Sequence, residues 1–374
     1  MKNRNTYKFI FTGGHLTPAM AVINELKDRG HRNVTWIGRE KTMRGDENKS
    51  SEYQVIKKDY NIPFINSLSG KIVKFSDFSS FNEFLINLIK LPIGFIQAFF
   101  VIIKSKPDIV VSFGGYVAVP IVIISKFLGI KTVTHEQTVV SGKANKVIAK
   151  FADKIFISWE ESKRYFNESK VIYTGNPVRK EVLNVVTDNY QLNKKLKTIY
   201  ITGGNQGSHK INMAVIKMLP KLLKKFNVIH QTGITTVTGD YERCLKLEKS
   251  LTGKYKGVYI VRGNIFSAEI GEVFHKADII ISRAGANSIT ELLILKKKSV
   301  LIPIPWSLNN EQMKNAKLVE KTGLGIILKE KDLTPTSLLK AIKQISKKSM
   351  KKKLALEIEK NGASLIVDEI LKLL

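Results

Sequence analysis

Short apolar runs that end in glycine-containing turns and lead into helix-patterned stretches recur along this chain in two series. No other feature limits the fold as much. In the first series, residues 7–11 (YKFIF) precede Thr12-Gly13-Gly14-His15 and a helical pattern over 18–29. Residues 34–37 form a second strand-like run, and 108–112 (DIVVS) precede Gly114-Gly115-Tyr116 and an apolar helix over 119–128. Residues 131–134 (KTVT) lead to His135-Glu136-Gln137, a helix over 143–151, and strands at 154–158 and 170–173. A polar stretch follows, and the pattern restarts with 198–201 (TIYI) and the turn Gly203-Gly204-Asn205-Gln206-Gly207. Residues 278–282 (DIIIS) precede Arg283-Ala284-Gly285-Ala286 and another helix.

Strands that alternate with helices argue for parallel sheets covered on both faces, and the continuous runs IVVS and IIIS suit strands buried on both sides. The expected class is α/β, with two doubly wound domains. Open parallel sheets bind ligands beyond the carboxyl ends of their strands, so the turns after each strand are the candidate site. Glycine there lets backbone approach a ligand, and the following helix offers unpaired N–H groups. One such turn is weak evidence, because βα connections need glycine for steric reasons alone. Their recurrence in both halves predicts a cleft that holds a diphosphate.

Three alternatives fail on motif. There is no GxGxxG with a matching acidic residue, no GxxxxGK[ST] loop, and no DxD pair at a strand end. Cys244 is the one cysteine, so neither an intramolecular disulfide nor a cysteine metal cluster can form. The histidines (15, 31, 135, 209, 230 and 275) show no HxxxH or HExxH spacing. Neither a metal nor another cofactor is expected. Helix dipoles and arginine would have to neutralise a diphosphate instead.

The formal charge of +29 comes from 61 basic against 32 acidic residues. It suits nucleic acid, an anionic membrane or anionic substrates. A codon bias toward A and T would produce the same lysine-rich balance, since only ten of the basic residues are arginine. No nucleic-acid reader motif accompanies it. The polar, basic N-terminus is followed by no signal-peptide core. Residues 84–103 (FLINLIKLPIGFIQAFFVII) approach membrane-spanning length, but Lys90, Pro92 and Gln97 argue for a helix pair broken at Pro92, buried or lying at an interface.

Taken together, TGGHLTPAMAV, SFGGYVAVP, HEQTVVSGKANK, TGNPVR, GGNQGS, HQTG, SRAGANSITE and the NEQMKNA stretch around Gln312 resemble the MurG family, in order and in spacing, from about residue 7 to 325. The resemblance implies a GT-B glycosyltransferase fold, with two Rossmann-like domains facing across a cleft. It implies inverting transfer of N-acetylglucosamine from UDP-GlcNAc to the 4-hydroxyl of an undecaprenyl-diphosphate-linked N-acetylmuramyl-pentapeptide. It also implies peripheral attachment to the cytoplasmic face of the cell membrane, on an anionic lipid surface and without nucleic acid as partner.

Residue by residue, the resemblance places Thr12, Gly13 and Gly14 along the phosphates and sugar, and Arg179 on the nucleotide. Asn205, Gln206, Ala286, Asn287 and Ser288 would hold the diphosphate, Glu291 the ribose, Gln312 the sugar and Ser267 the base. His15 and Glu136 are the candidate catalytic residues, with Gly114, Gly115, Tyr116 and Thr138 around the acceptor. Structural alternatives stand beside several of these. His15 could cap its helix, Glu136 could pin its own loop, Arg179 could form a linker salt bridge, and Ser288-x-x-Glu291 reads as a capping box. The chain departs from the family at Thr138 (asparagine), at Asn205 (serine) and at Glu311, and it lacks glycines before Thr12.

The expected organisation is an acceptor- and membrane-binding domain over 1–176, a linker over 177–197 and a UDP-sugar domain over 198–346. A lysine-rich amphipathic helix over 347–374 would pack back on the first domain. Residues 84–103, with Lys71, Lys74, Lys90 and Lys104, are the expected docking surface. Competing functions are a related glycolipid glycosyltransferase, a basic nucleic-acid-binding protein and a sugar-nucleotide sensor without catalysis.

Overall fold

The computed structural model describes residues 7–41, 49–70, 81–204, 206–233, 235–265, 267–349 and 362–374, with backbone alone at 51, 58, 59, 81–89, 267 and 308. It divides into two compact units, Met1–Pro177 with Asn361–Leu374, and Val178–Lys360.

The first unit contains β1 (Phe9–Thr12), α1 (Leu16–Asp28), β2 (Val34–Gly38), α2 (Ser51–Tyr53, continuing as a π turn over Gln54–Asp59) and β3 (Phe64–Asn66). Then come α3 (Phe81–Ser105), β4 (Ile109–Ser112), α4 (Ala118–Phe127), β5 (Lys131–Glu136), α5 (Lys143–Phe151), β6 (Lys154–Ile157) and β7 (Val171–Tyr173). The seven strands lie in the order β3-β2-β1-β4-β5-β6-β7, and all pairings are parallel. Alternation along each strand builds two cores. Phe9, Phe11, Trp36 and Val111 face α1, whereas Ile10, Ile37 and Val110 face Ala98 and Ile102 of α3 and Ile121 and Val122 of α4. Each such side chain contributes about 1.5–3 kcal/mol of burial.

The second unit opens with α6 (Lys180–Leu183), followed by β8 (Lys197–Thr202), α7 (His209–Leu223), β9 (Phe226–Gln231), α8 (Asp240–Leu251), β10 (Tyr259–Arg262) and α9 (Ser267–Lys276). It continues with β11 (Ile279–Ser282), α10 (Ala286–Ile294), β12 (Lys298–Leu301), α11 (Glu311–Lys321), β13 (Gly325–Ile327) and α12 (Pro335–Lys347). Its six parallel strands run β10-β9-β8-β11-β12-β13. Both sheets thus reverse direction beside their first strand, the point at which such sheets bind ligands. The segment entering this unit is tied to α9. A Cβ on Gly271 would lie 1.9 Å from the Asn184 carbonyl oxygen. Buried Glu272 accepts hydrogen bonds from Thr187 Oγ1, the Asn189 and Tyr190 amides and Lys276 Nζ.

A last helix, α13 (Gly362–Leu371), belongs to the first unit. Ile366, Val367 and Ile370 enter the same core as Ile23 and Leu26 of α1. Arg29 Nη1 donates to Asp368 at 2.5 Å and Arg29 Nη2 to Ser364 Oγ at 2.5 Å.

Two expected elements take another form. Residues 84–103 lie within one helix, α3, rather than a pair broken at Pro92. Pro92 is exposed, and the helix continues through it with one intrahelical donor missing. The stretch 347–374 is not a single helix either. Lys348 is extended and closes α12, and 350–361 lie outside the described residues. Among the described residues, no helix is long and apolar enough to cross a membrane.

Candidate active site

In the first unit, the turns after β1 and β4 are joined edge to edge. The Phe113 amide donates to the Thr12 carbonyl at 2.8 Å, and the Gly14 amide to the Gly114 carbonyl at 3.0 Å. Gly13 has φ +138°, and a Cβ there would stand 2.6 Å from the Phe113 carbonyl carbon. Gly114 has φ +73°, with space for a Cβ taken by Asn145 Oδ1 at 2.3 Å. Asn145, on α5, passes the constraint on, since its Nδ2 donates to Glu136 Oε2 at 2.9 Å. Glu136 Oε1 accepts from the Thr138 amide at 3.0 Å and from Thr138 Oγ1 at 2.7 Å. The glycines, Asn145, Glu136 and Thr138 therefore form one braced rim along the carboxyl edge of the sheet.

His15 occupies the N-cap position of α1 without a side-chain capping bond, and its Nδ1 has no hydrogen-bond partner among the described residues. Burial lowers its pKa below the ordinary 6.5, against the opposing pull of the Glu136 carboxylate and the Phe113 backbone. The imidazole is neutral near pH 7 and can accept a proton. His135, close enough to interact with it electrostatically, lies 3.0 Å through Nε2 from Ser158 Oγ. Burial, with His15 nearby, pushes His135 down to about 3. Thr12 Oγ1, Thr134 Oγ1 and Gln137 Oε1 are also buried at this edge without partners among the described residues. Groups left in this state inside a protein call for an explanation, and a polar ligand supplies one.

The second unit carries a separate cavity of about 110 Å³ at the carboxyl ends of its strands, lined among others by Arg179, Tyr200, Thr202, Gly204, Gln231, Ser282, Ser288 and Glu291. Arg179 Nη2 pairs with Glu291 Oε1 at 3.0 Å, and the Glu291 side chain is 8% exposed. Arg179 Nε and Ser282 Oγ have no partner among the described residues. Tyr200 donates to Gln231 Oε1 at 2.6 Å, which fixes the floor. Ala286, Asn287 and Ser288 are the first residues of α10, whose N-cap is Gly285. The capping box that stood as the structural alternative for Ser288 and Glu291 is not formed: Ser288 lies inside the helix, and Glu291 turns to Arg179. Gln312 Oε1 braces two loops, accepting from the Ile304 amide at 3.0 Å and the Ala284 amide at 3.3 Å. Arg283 is committed to the protein through Glu330 at 2.5 Å, Ser208 Oγ at 2.7 Å and the Ile302 carbonyl at 3.1 Å. With both arginines paired to carboxylates, the positive ends of α7 and α10 add field for an anion.

Residues 10–157 match the glycosyltransferase family 28 N-terminal domain, and 198–370 match its C-terminal domain. The UDP-N-acetylglucosamine–N-acetylmuramyl-(pentapeptide) pyrophosphoryl-undecaprenol N-acetylglucosamine transferase of Clostridium perfringens is 35% identical over 98% of each chain. A Bacillus cereus transferase of the same description is 33% identical over 94% of each chain. The chain belongs to the MurG family. In agreement on the fold, the crystal structure of Acinetobacter baumannii MurG superposes with a TM-score of 0.66 at 24% identity, covering 98% of this chain and 99% of that one. The two parallel sheets are those of a GT-B glycosyltransferase, and the family is one of N-acetylglucosamine transferases.

Within each unit, the structure brings most of the expected residues together. Thr12, Gly13, Gly14, His15, Gly114, Gly115, Tyr116, Glu136 and Thr138 follow adjoining strands of one sheet. Arg179, Ser288 and Glu291 line one cavity of the other unit. Gln206 is exposed, Asn205 lies outside the described residues, and of Ser267 only the backbone, at the start of α9, is described. Sequence reading missed Asn145, Tyr200, Gln231 and Arg39. The last of these donates to the Tyr116 hydroxyl at 2.5 Å. The only signal for Arg39 was a cation directly after the second strand.

Proposed function

We propose that this protein transfers N-acetylglucosamine from UDP-GlcNAc to the 4-hydroxyl of undecaprenyl-diphosphate-linked N-acetylmuramyl-pentapeptide, with inversion. The observation that carries the chemistry is His15, a neutral imidazole beside the glycine turns with a nitrogen free of protein partners among the described residues. It takes the proton of the attacking hydroxyl. Glu136, already bonded to Thr138 and Asn145, holds the rim and favours the imidazolium that forms. Thr12, Gly13 and Gly14 offer backbone to the donor, and Gly114, Gly115, Tyr116 and Thr138 shape the acceptor site.

In the second unit, Arg179 and Glu291 receive the nucleoside, Glu291 taking the ribose hydroxyls, and Ser267 lies by the base. The starts of α7 and α10, with Asn205, Gln206, Ala286, Asn287 and Ser288, stabilise the departing diphosphate. Gln312 presents its remaining amide group to the sugar.

The acceptor's lipid cannot leave the bilayer, so the enzyme docks on the cytoplasmic face of the membrane. The docking surface is α3, on which Ile93, Ile96, Phe100 and Ile103 are exposed, Phe100 at 64%. Lys90 and Lys104 add electrostatic attraction of about 1 kcal/mol each near anionic lipid. Lys71 and Lys74 lie outside the described residues.

The deciding assay is turnover of UDP-GlcNAc against UDP-GalNAc and UDP-glucose with a lipid-linked muramyl acceptor. Release of UDP from UDP-GlcNAc only when that acceptor is present is expected. Equal turnover with a diacylglycerol acceptor would point instead to a glycolipid transferase. Flotation with anionic vesicles at moderate salt tests the docking surface; protein left at the bottom of the gradient counts against it.

A further inference from the structure

A cavity of about 400 Å³ opens at the carboxyl ends of β2 and β3, beside the acceptor residue Tyr116 and the α3 surface, and it is lined by Arg39, Lys41, Asn66, Leu68, Lys90 and Ile93, among others. Its one acid, Glu40, is already paired with Lys49. Lys41 and Lys90 have no ion-pair partner among the described residues, so the cavity is cationic. Its wall is fixed by α3: Gln97 Nε2 donates to the Asn66 carbonyl at 2.8 Å and Gln97 Oε1 accepts from the Leu68 amide at 2.8 Å. Gly94 lets the helix approach, since a Cβ there would meet Ser69 Oγ at 2.7 Å.

The cavity has two distinct borders. On one side, Arg39 donates to the Tyr116 hydroxyl, beside the glycine turn that follows β4. On the other, Leu68 and Ile93, both exposed, continue into Ile96, Phe100 and Ile103 along α3. An anionic head between three cations, with an apolar tail along that stripe, satisfies both borders. A free anion uses only the first, and an uncharged lipid only the second.

We propose that Arg39, Lys41 and Lys90 bind the diphosphate of an isoprenoid-diphosphate-linked acceptor as it rises from the bilayer, and that Arg39 passes it to the turn carrying Tyr116. This inference rests on the transferase reading and adds the place where the acceptor's head is held. Lysine and arginine are the side chains suited to a diphosphate, arginine through paired N–H groups and lysine as a point charge.

Binding of farnesyl diphosphate in detergent, measured by calorimetry, tests it without requiring turnover. The variants are Arg39→Gln with Lys41→Gln, and Lys41→Gln with Lys90→Gln, the second pair leaving the Tyr116 contact intact. Each pair is expected to weaken farnesyl diphosphate binding by about tenfold or more. The KM for the lipid acceptor should rise in step, while UDP binding stays unchanged. The assignment is overturned if wild type and both variants bind farnesyl diphosphate alike. It is equally overturned if inorganic pyrophosphate binds as tightly, which removes the tail from recognition. Parallel loss of binding to phosphatidylglycerol vesicles in the Arg39→Gln with Lys41→Gln pair, which keeps the docking lysines Lys90 and Lys104, would also overturn it, as that marks a general anionic-lipid surface. Failure of the transferase reading would show separately, as absence of UDP-GlcNAc turnover in the wild type.

Discussion

His15 stands where Ser, Thr, Asp or Asn would usually cap a helix, and its imidazole leaves the helix end uncapped. On the transferase reading, the Nδ1 left without a partner among the described residues is the atom that takes the proton. His15→Ala should lower kcat by about 10²–10⁴-fold while leaving UDP-GlcNAc affinity unchanged, as stopped assays and calorimetry on one preparation can show. Because burial lowers its pKa, protonation disables the base only in acid: kcat/KM should hold through pH 7 and fall below 6.5. An acid limb above pH 7 would assign the base elsewhere. Arg179 and Glu291 make the complementary case, as each is the other's counter-ion. Arg179→Ala leaves a buried carboxylate unpaired and should cost about 3 kcal/mol in denaturant unfolding, besides weakening UDP binding. At this scale the sequence was only half readable. SxxE satisfies the capping pattern, yet the helix begins two residues before the serine, so spacing alone could not separate a cap from a ligand contact.

Among elements, the strands legible in advance were those carrying continuous apolar runs, such as IVVS and IIIS. The edge strands β3 (FIN) and β13 (GII) passed unnoticed: each is three residues long and pairs on one side only, so little apolar sequence marks them. α3 was misread for a related reason. A proline signals a break where its neighbours lack solvent, but Pro92 lies on an exposed face. The segment from Thr187 to Tyr190 read as linker, and its anchor, Glu272, was invisible because its partners lie more than 80 residues away. Burial opposes ionisation of Glu272, but bonds from Lys276, Thr187, Tyr190 and Asn189 hold its pKa at about 2. A carboxylate of depressed pKa stabilises the fold above its unfolded value and loses that contribution as pH falls through the folded value. Glu272→Gln should therefore destabilise the protein by about 1–3 kcal/mol at pH 7 and by less near pH 3. Urea titrations at the two pH values would expose an equal loss at both, and that result would dismiss the anchor.

For the whole molecule, each sheet buries a neutral histidine. His135 is pushed down to about 3 and His230 to about 4, both by burial first. The unfolded chain takes up protons at these sites below pH 6.5, whereas the folded chain does not until far lower. Stability should consequently fall from pH 6.5 toward 4, by up to about 1.4 kcal/mol per pH unit for each histidine. Thermal melts across that range, with His230→Gln as comparison, would show a shallower slope in the variant. The excess of lysine acts on a different quantity. It should make vesicle binding fall steeply as salt rises.

Helix α13 also sets an order of assembly. The first core is shut by residues that a ribosome adds only after the intervening unit has been made. While synthesis proceeds, α1 offers Ile23 and Leu26 to no partner from α13, and Arg29 waits for Asp368. The N-terminal half is thus left sticky until a late moment. A fragment ending at Pro177 should aggregate, and supplying 362–374 as a separate peptide should rescue its solubility.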